Sequence, residues 1–203
     1  MASTKKLKEI ISTLTDQIGL VNLYIHESEE LKKKDTSFII CDLDYTLFSR
    51  DEQIEWEPML KEKRGYEGNT YMINHIGINN MVAKYYEWKK YPQDIIKKLS
   101  PESSLILTAG IPEYQHKKRR SMNIEHIPMK VVWEWKDKVL ETIRYVLFEL
   151  KYIPAEIIVY EDRPQFFVEY KELIEWALWT KLTIMYVEMD GNEGYKKIEE
   201  LGS

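Results

Sequence analysis

Four short apolar runs, separated by longer segments in which apolar residues recur every third or fourth position, restrict this chain more than any other feature. The runs are "SFIIC" at Ser37–Cys41, "SLILT" at Ser104–Thr108, "EIIVY" at Glu156–Tyr160 and "LTIMYVEM" at Leu182–Met189, with "PMKVVW" at Pro128–Trp133 a weaker further candidate. Each is too short for a buried helix and rich in β-branched residues, and so reads as a buried strand. Between them, Val139, Leu140, Ile143, Val146, Leu147 and Leu150 form one helical stripe, and Phe166, Phe167, Tyr170, Leu173, Ile174 and Ala177 repeat the spacing. Strand and helix alternate. That order predicts an α/β fold: a doubly wound, Rossmann-like, mainly parallel sheet with helices on both faces.

Two segments break the rhythm. Residues 1–35 carry Leu7, Ile10, Ile11, Leu14 and Ile18 at helical spacing, then "ESEELKKKD", and predict an N-terminal helical extension. Residues 49–101 are polar and aromatic, contain Gly65, Gly68 and Gly77, show a helical pattern around Met72–Trp88, and predict a small cap inserted into a main domain over 36–203. The tail "DGNEGYKKIEELGS" reads as a short helix or loose end.

A chain of 203 residues, 44% of them hydrophobic, can bury one main core with a small insertion. The single cysteine, Cys41, excludes an intrachain disulfide and a cysteine-rich zinc site, and fits an intracellular, cytoplasmic setting. No segment approaches the roughly 20 apolar residues that span a bilayer, and "MASTKKLKEI" lacks a signal-peptide core, so no membrane partner is expected. The net charge of −5 gives no global attraction to nucleic acid, so such binding would need a local basic patch.

In an open α/β sheet, ligands bind beyond the carboxyl ends of the strands, so residues following each apolar run converge on one crevice. Here these are Asp42, Asp44 and Thr46; Thr108 and Gly110; and Glu161 and Asp162. Carboxylates gathered in one cleft repel unless a cation joins them, and an all-oxygen set suits Mg²⁺ better than zinc. Such a cluster can hold Mg²⁺ against a phosphate while one carboxylate attacks phosphorus to form an aspartyl-phosphate. A lysine would then offset the crowded charge, with the Thr108 hydroxyl donating to the phosphoryl oxygens. Lys136, opening "KDKVLETIRYVLFEL", is the best-placed candidate, with Lys138 behind it and Lys130 competing.

Asp42-Leu43-Asp44-Tyr45-Thr46-Leu47, the strand-ending Thr108, a later lysine and Glu161-Asp162 resemble the four ordered motifs of the haloacid dehalogenase superfamily over roughly Ser37–Met189. Asp44 sets the chain apart from that superfamily's dehalogenases, which lack the second aspartate, and favours phosphoryl transfer. The resemblance implies Asp42 as nucleophile and metal ligand, and Asp44 as general acid then base, with its backbone carbonyl on the metal. It implies Asp162 and Glu161 as the rest of the Mg²⁺ site, and Thr108 and Lys136 as the phosphoryl-binding pair. "VYEDRPQFF" is similar to the fourth motif of polynucleotide 3'-phosphatase domains and of Swiss-army-knife RNA repair-like phosphatases, as are "DLDYTLF" and Trp135-Lys136 to the latter. The chain departs from both in Thr108-Ala109-Gly110, where a Thr-Gly-Arg is usual, and in lacking a histidine after Asp162-Arg163. The implied substrate is a phosphomonoester, most specifically a 3'-phosphate on an RNA or DNA end. A small-molecule or nucleotide phosphatase, or a scaffold with weak turnover, are the alternatives.

Other features carry two readings. An aspartate after a strand commonly caps a turn, and Thr108 is placed to cap the helix beginning near Pro112. "HKKRR" at His116–Arg120 is either an oligonucleotide-binding patch or a solvated helix face. Arg163 either clamps a substrate phosphate or pairs with a neighbouring carboxylate. Tyr66, Tyr71, Tyr85, Tyr86 and Trp88 either stack bases or form a local core.

Overall fold

The computed structural model describes residues 32–48, 93–150, 152–190 and 194–202, together with 70, 71, 74, 75 and 77–79. The predicted helical extension up to residue 31 and most of the predicted cap, including Tyr66, Tyr85, Tyr86 and Trp88, lie outside the described residues.

Six strands form one sheet: β1 Lys33–Cys41, β2 Ser104–Ala109, β3 Met129–Val132, β4 Ile153–Glu161, β5 Lys181–Asp190 and β6 Gly194–Leu201. Their spatial order is β3-β2-β1-β4-β5-β6, and every neighbouring pair is parallel except β5 with β6. The helices are α1 Gln93–Ile96, α2 Pro112–Ser121, α3 Asp137–Phe148, α4 Gln165–Glu169 and α5 Lys171–Leu178. The fold is α/β with a mostly parallel sheet, and no helix among the described residues is long and apolar enough to cross a membrane.

The alternation of side chains along each strand divides the core in two. Phe38, Ile40, Leu105, Leu107, Ile157 and Val159 point to one face, where they pack with Val139, Ile143 and Val146 of α3 and Ile174, Ala177 and Leu178 of α5. Their neighbours Ile39, Cys41, Ile106, Ile158 and Tyr160 pack on the other face with Ile95 and Ile96 of α1 and with Met122, Ile124 and Ile127, which follow α2. Near-continuous apolar runs are what a sheet buried on both faces requires. The end of the predicted cap thus contributes to the main core, since Ile95 is fully buried there.

Three elements differ from expectation. Lys33–Asp35 of the charged "KKKD" segment are strand, because β1 begins pairing with β4 at Lys33 opposite Ile153. The stripe from Phe166 to Ala177 is two helices rather than one, meeting at Tyr170, whose φ of −112° leaves helical geometry. The tail is neither helix nor loose end: β6 covers the outer edge of β5 in antiparallel register, from Ile184 opposite Leu201 to Asp190 opposite Gly194. An unpaired edge of β5 would have left a row of backbone donors and acceptors without partners, and that tertiary demand outweighs the helical spacing of "YKKIEEL".

Topology brings the ends of β1 and β4 side by side. From β1 the chain winds outward through β2 to β3, then returns across β1 to β4 and β5. The winding reverses between β1 and β4, the kind of position at which open α/β sheets bind ligands. Register then aligns Cys41 with Tyr160, which sets Asp42 beside Glu161.

Candidate active site

The turn after β1 is held by its apolar residues, which frees its polar ones. Leu43, Leu47 and Phe48 are fully buried in the second core cluster, and the Leu47 and Phe48 amides both donate to the Leu43 carbonyl at 3.0 and 2.8 Å. Closing so tight a loop places Tyr45 at φ +59°, a left-handed conformation that a non-glycine residue enters at a cost of roughly 1 kcal/mol or more. From the strand edges the turn is fixed by the Asp42 amide, which donates to the Tyr160 carbonyl at 3.0 Å, and by the Tyr195 hydroxyl of β6, which donates to the Thr46 carbonyl at 2.8 Å.

Asp42, Glu161 and Asp162 converge, each offering a carboxylate oxygen within 4.8 Å of the others. Into this group reaches the amino group of Lys138, 2.9 Å from Asp42 Oδ1 and 2.7 Å from Glu161 Oε2. Lys138, Asp42 and Glu161 are all buried. Burial pulls the Lys138 ammonium down, but the two carboxylates outweigh it and its pKa rises. Burial, with the Asp42 charge next, pushes Glu161 well above the usual glutamate range, and the same causes push Asp162 up to about 6. Lys138, with Arg163 3.5 Å from Asp162 at the cluster's edge, still leaves the three carboxylates under-compensated, and burial makes that residual negative charge costly. An oxygen-rich, net-negative pocket of this kind fits a hard divalent cation.

The lysine of the site is Lys138, not the residue expected to open the helix. Lys136 precedes α3 and its amino group pairs with Glu134, while Lys130 pairs with Glu149 at 2.7 Å. Lys138 lies in the first turn of α3, one helical turn before the buried Thr142, and its amide donates to the Trp135 carbonyl at 3.1 Å.

Asp44 goes elsewhere. Its Oδ1 lies 2.5 Å from Lys118 Nζ and its Oδ2 accepts from Gln115 Nε2 at 2.9 Å. Both partners come from α2 and are buried, Lys118 to 1% exposure, with its ammonium 4.0 Å from the Tyr114 ring centroid. Gln115 Nε2 also donates to the Ala109 carbonyl at 2.8 Å, so α2 ties the ends of β1 and β2 together. Gly110 makes this possible: its φ is +134°, and a Cβ there would stand 2.9 Å from Gln115 Nε2. Within "HKKRR", Lys118 thus points inward, Arg119 donates to the Ile127 carbonyl and Arg120 pairs with Glu125, while His116 is exposed. Neither reading of that run as a single surface describes it.

Thr108 and Thr46 are buried, and their hydroxyls find no hydrogen-bond partner among the described residues. Thr108 is not a helix cap, since the residue capping α2 is Ile111 and makes no side-chain bond. A buried hydroxyl without a partner costs about 1–3 kcal/mol, so an incoming acceptor would be favoured there. Arg163 takes the carboxylate reading, with Nε 3.5 Å from Asp162 Oδ2, and also stacks on Trp135 at 4.9 Å. Gln115 and Lys118 are the site residues that sequence reasoning missed.

No family model, no curated protein and no solved structure matches this chain.

Proposed function

We propose that this chain is a Mg²⁺-dependent phosphomonoester hydrolase of the haloacid dehalogenase type, working through a phosphorylated Asp42. The observation that carries the reading is Lys138 held between Asp42 and Glu161 with Asp162 completing the cluster. A lysine at that point cancels part of the charge that would otherwise repel a phosphate, and leaves the aspartate oxygen a nucleophile. The reading is also supported by a mostly parallel sheet buried on both faces, with Asp42 and Glu161 at the carboxyl ends of the adjacent strands β1 and β4.

In this mechanism a free Asp42 oxygen attacks phosphorus as the bond from phosphorus to the ester oxygen breaks. Asp44 gives its proton to the departing oxygen, and the alcohol leaves. Asp44 then takes a proton from water, whose oxygen attacks phosphorus, breaks the bond to Asp42 and releases inorganic phosphate. Lys138 and the Thr108 hydroxyl donate to the phosphoryl oxygens. Asp42, Glu161, Asp162 and the backbone carbonyl of Asp44 would hold the cation, which supplies charge neutralisation at the transferring group. Lys118 and Gln115 each hold one Asp44 oxygen, which fixes the carboxylate while a second lone pair on each oxygen stays available for a proton.

Phosphate release at millimolar Mg²⁺ tests the reading, with p-nitrophenyl phosphate, sugar phosphates, nucleoside monophosphates, and RNA and DNA oligonucleotides carrying 3'- or 5'-phosphate as substrates. Release that depends on Mg²⁺ and vanishes in Asp42→Asn is expected. No release from any substrate would leave a binding or scaffold protein with the cluster as a structural metal site.

A further inference from the structure

We infer that Trp135 and Arg163 form a stacking platform that takes a nucleobase carried by the phosphomonoester. This rests on the phosphatase reading for the phosphate, but the platform is a separate set of atoms.

The indole of Trp135 is 51% exposed, beside Trp133 at 60%, and both stand on the short connection between β3 and α3. Large aromatic rings so exposed lose the burial that ordinarily stabilises them, and a pair of them on one connection marks a contact surface. The Trp135 ring is also held in place. The Arg163 guanidinium lies 4.9 Å from its centroid, and Phe166 meets it edge-on at 6.5 Å. A tryptophan fixed on two sides and open elsewhere loses little rotamer freedom when a flat ligand stacks on it.

Position links this surface to the cleft at two points. Arg163 follows Asp162 directly and touches its carboxylate, so one side chain spans the acidic group and the indole. Trp135 accepts the amide hydrogen of Lys138 on its carbonyl, so the connection bearing the indole is tied to the lysine between Asp42 and Glu161. A phosphate among those groups would leave its organic part at the Trp135 edge. The ligand chemistry matching an exposed indole overlaid by a guanidinium is a planar, electron-rich heterocycle, because both stack on π faces. An aliphatic alcohol or a bare sugar has no π face to offer that surface. A nucleotide and a phosphorylated strand end share the required pair of groups.

Isothermal titration of the full-length Asp42→Asn chain at millimolar Mg²⁺ compares adenosine 3'-monophosphate, ribose 5-phosphate and a trinucleotide bearing a 3'-phosphate. The nucleotide should bind about tenfold more tightly than the sugar phosphate, within the range of one base stacked on an aromatic ring. Trp135→Leu should abolish that preference and Trp135→Phe should keep part of it. Further gain by the trinucleotide identifies a strand end as the source of the base, and equal affinity identifies a free nucleotide. If nucleotide and sugar phosphate bind alike, or if Trp135→Leu leaves their ratio unchanged, the platform is overturned whether or not phosphate is released. For the unsubstituted chain, the ratio of kcat/KM for the same two compounds gives a second reading that does not depend on the folding of Asp42→Asn. Loss of all turnover with a Trp135-dependent binding preference intact would remove the phosphatase reading and leave the platform.

Discussion

The ammonium of Lys118 lies 2.5 Å from the Asp44 carboxylate, although Lys118 sits in the middle of the most basic run of the chain. Removing one partner of such a pair leaves the other without compensation. Lys118→Met is expected to destabilise by about 2 kcal/mol, less than a fully buried pair because Asp44 is partly solvated. Adding Asp44→Asn to Lys118→Met should recover part of that loss. Urea unfolding of both single variants and the double variant measures the coupling, and additive losses would mean that the pair contributes nothing.

Lys138 and Lys136 separate sharply. Lys138→Met strands Asp42 and Glu161 in the interior, and a loss of about 3–5 kcal/mol is expected. Lys136→Met removes a partly exposed pair with Glu134 and should cost less than about 1 kcal/mol. Denaturant midpoints for the two variants decide between them, and equal losses would contradict this assignment of the lysine.

Gly110→Ala combines a positive φ with a Cβ 2.9 Å from Gln115 Nε2. About 1–3 kcal/mol of stability should be lost to backbone strain, and the displaced Gln115 should release Asp44 Oδ2. If turnover is present in the parent chain, Gly110→Ala should lower kcat more than KM; an unchanged melting temperature would show that the loop accommodates the methyl group.

The pH dependence follows from Asp162. Burial and the Asp42 charge raise its pKa from 3.8 to about 6, so the folded chain binds this proton more tightly than the unfolded chain. Its contribution to stability is complete below the unfolded value and is lost as pH rises through about 6. In chelator, the melting temperature of the parent chain should therefore fall relative to Asp162→Asn between pH 4 and pH 7. Mg²⁺ should restore more stability at pH 7.5 than at pH 5, where protons compete for the same oxygens. Calorimetry across that range checks both signs.

Acid–base work at Asp44 has its own test. If the parent chain shows Mg²⁺-dependent stabilisation and turnover, Asp44→Asn should keep the thermal shift, since the acidic cluster is Asp42, Glu161 and Asp162, while turnover falls by about 10² to 10⁴. Near-parental turnover would remove Asp44 from that role.

The strands were legible because a sheet buried on both faces needs continuous apolar runs, and "SFIIC", "SLILT" and "EIIVY" supply them. Asp42, Glu161 and Asp162 were legible because residues ending neighbouring parallel strands must meet. Lys138 was harder, since choosing it over Lys136 depends on where α3 begins. The spacing to Thr142 held the signal, because both residues lie on the buried side of that helix. Gln115 and Lys118 left no comparable mark: a basic run has no periodicity that reveals which lysine turns inward, and the answer depends on how α2 lies over β1 and β2. The strand β6 was hidden because "YKKIEEL" satisfies helical spacing, whereas its conformation is imposed by the edge of β5.

The hydrogen bond from Tyr195 to the Thr46 carbonyl spans 149 positions of sequence. As the chain leaves the ribosome, the turn bearing Asp42 and Asp44 emerges before the other residues of the cluster. Glu161 and Asp162 follow more than a hundred residues later, and the hydroxyl that fastens the turn comes last among them. Nascent chains therefore carry Asp42 long before its neighbours Glu161 and Asp162, and the acidic cluster assembles only once the later strands have joined the sheet.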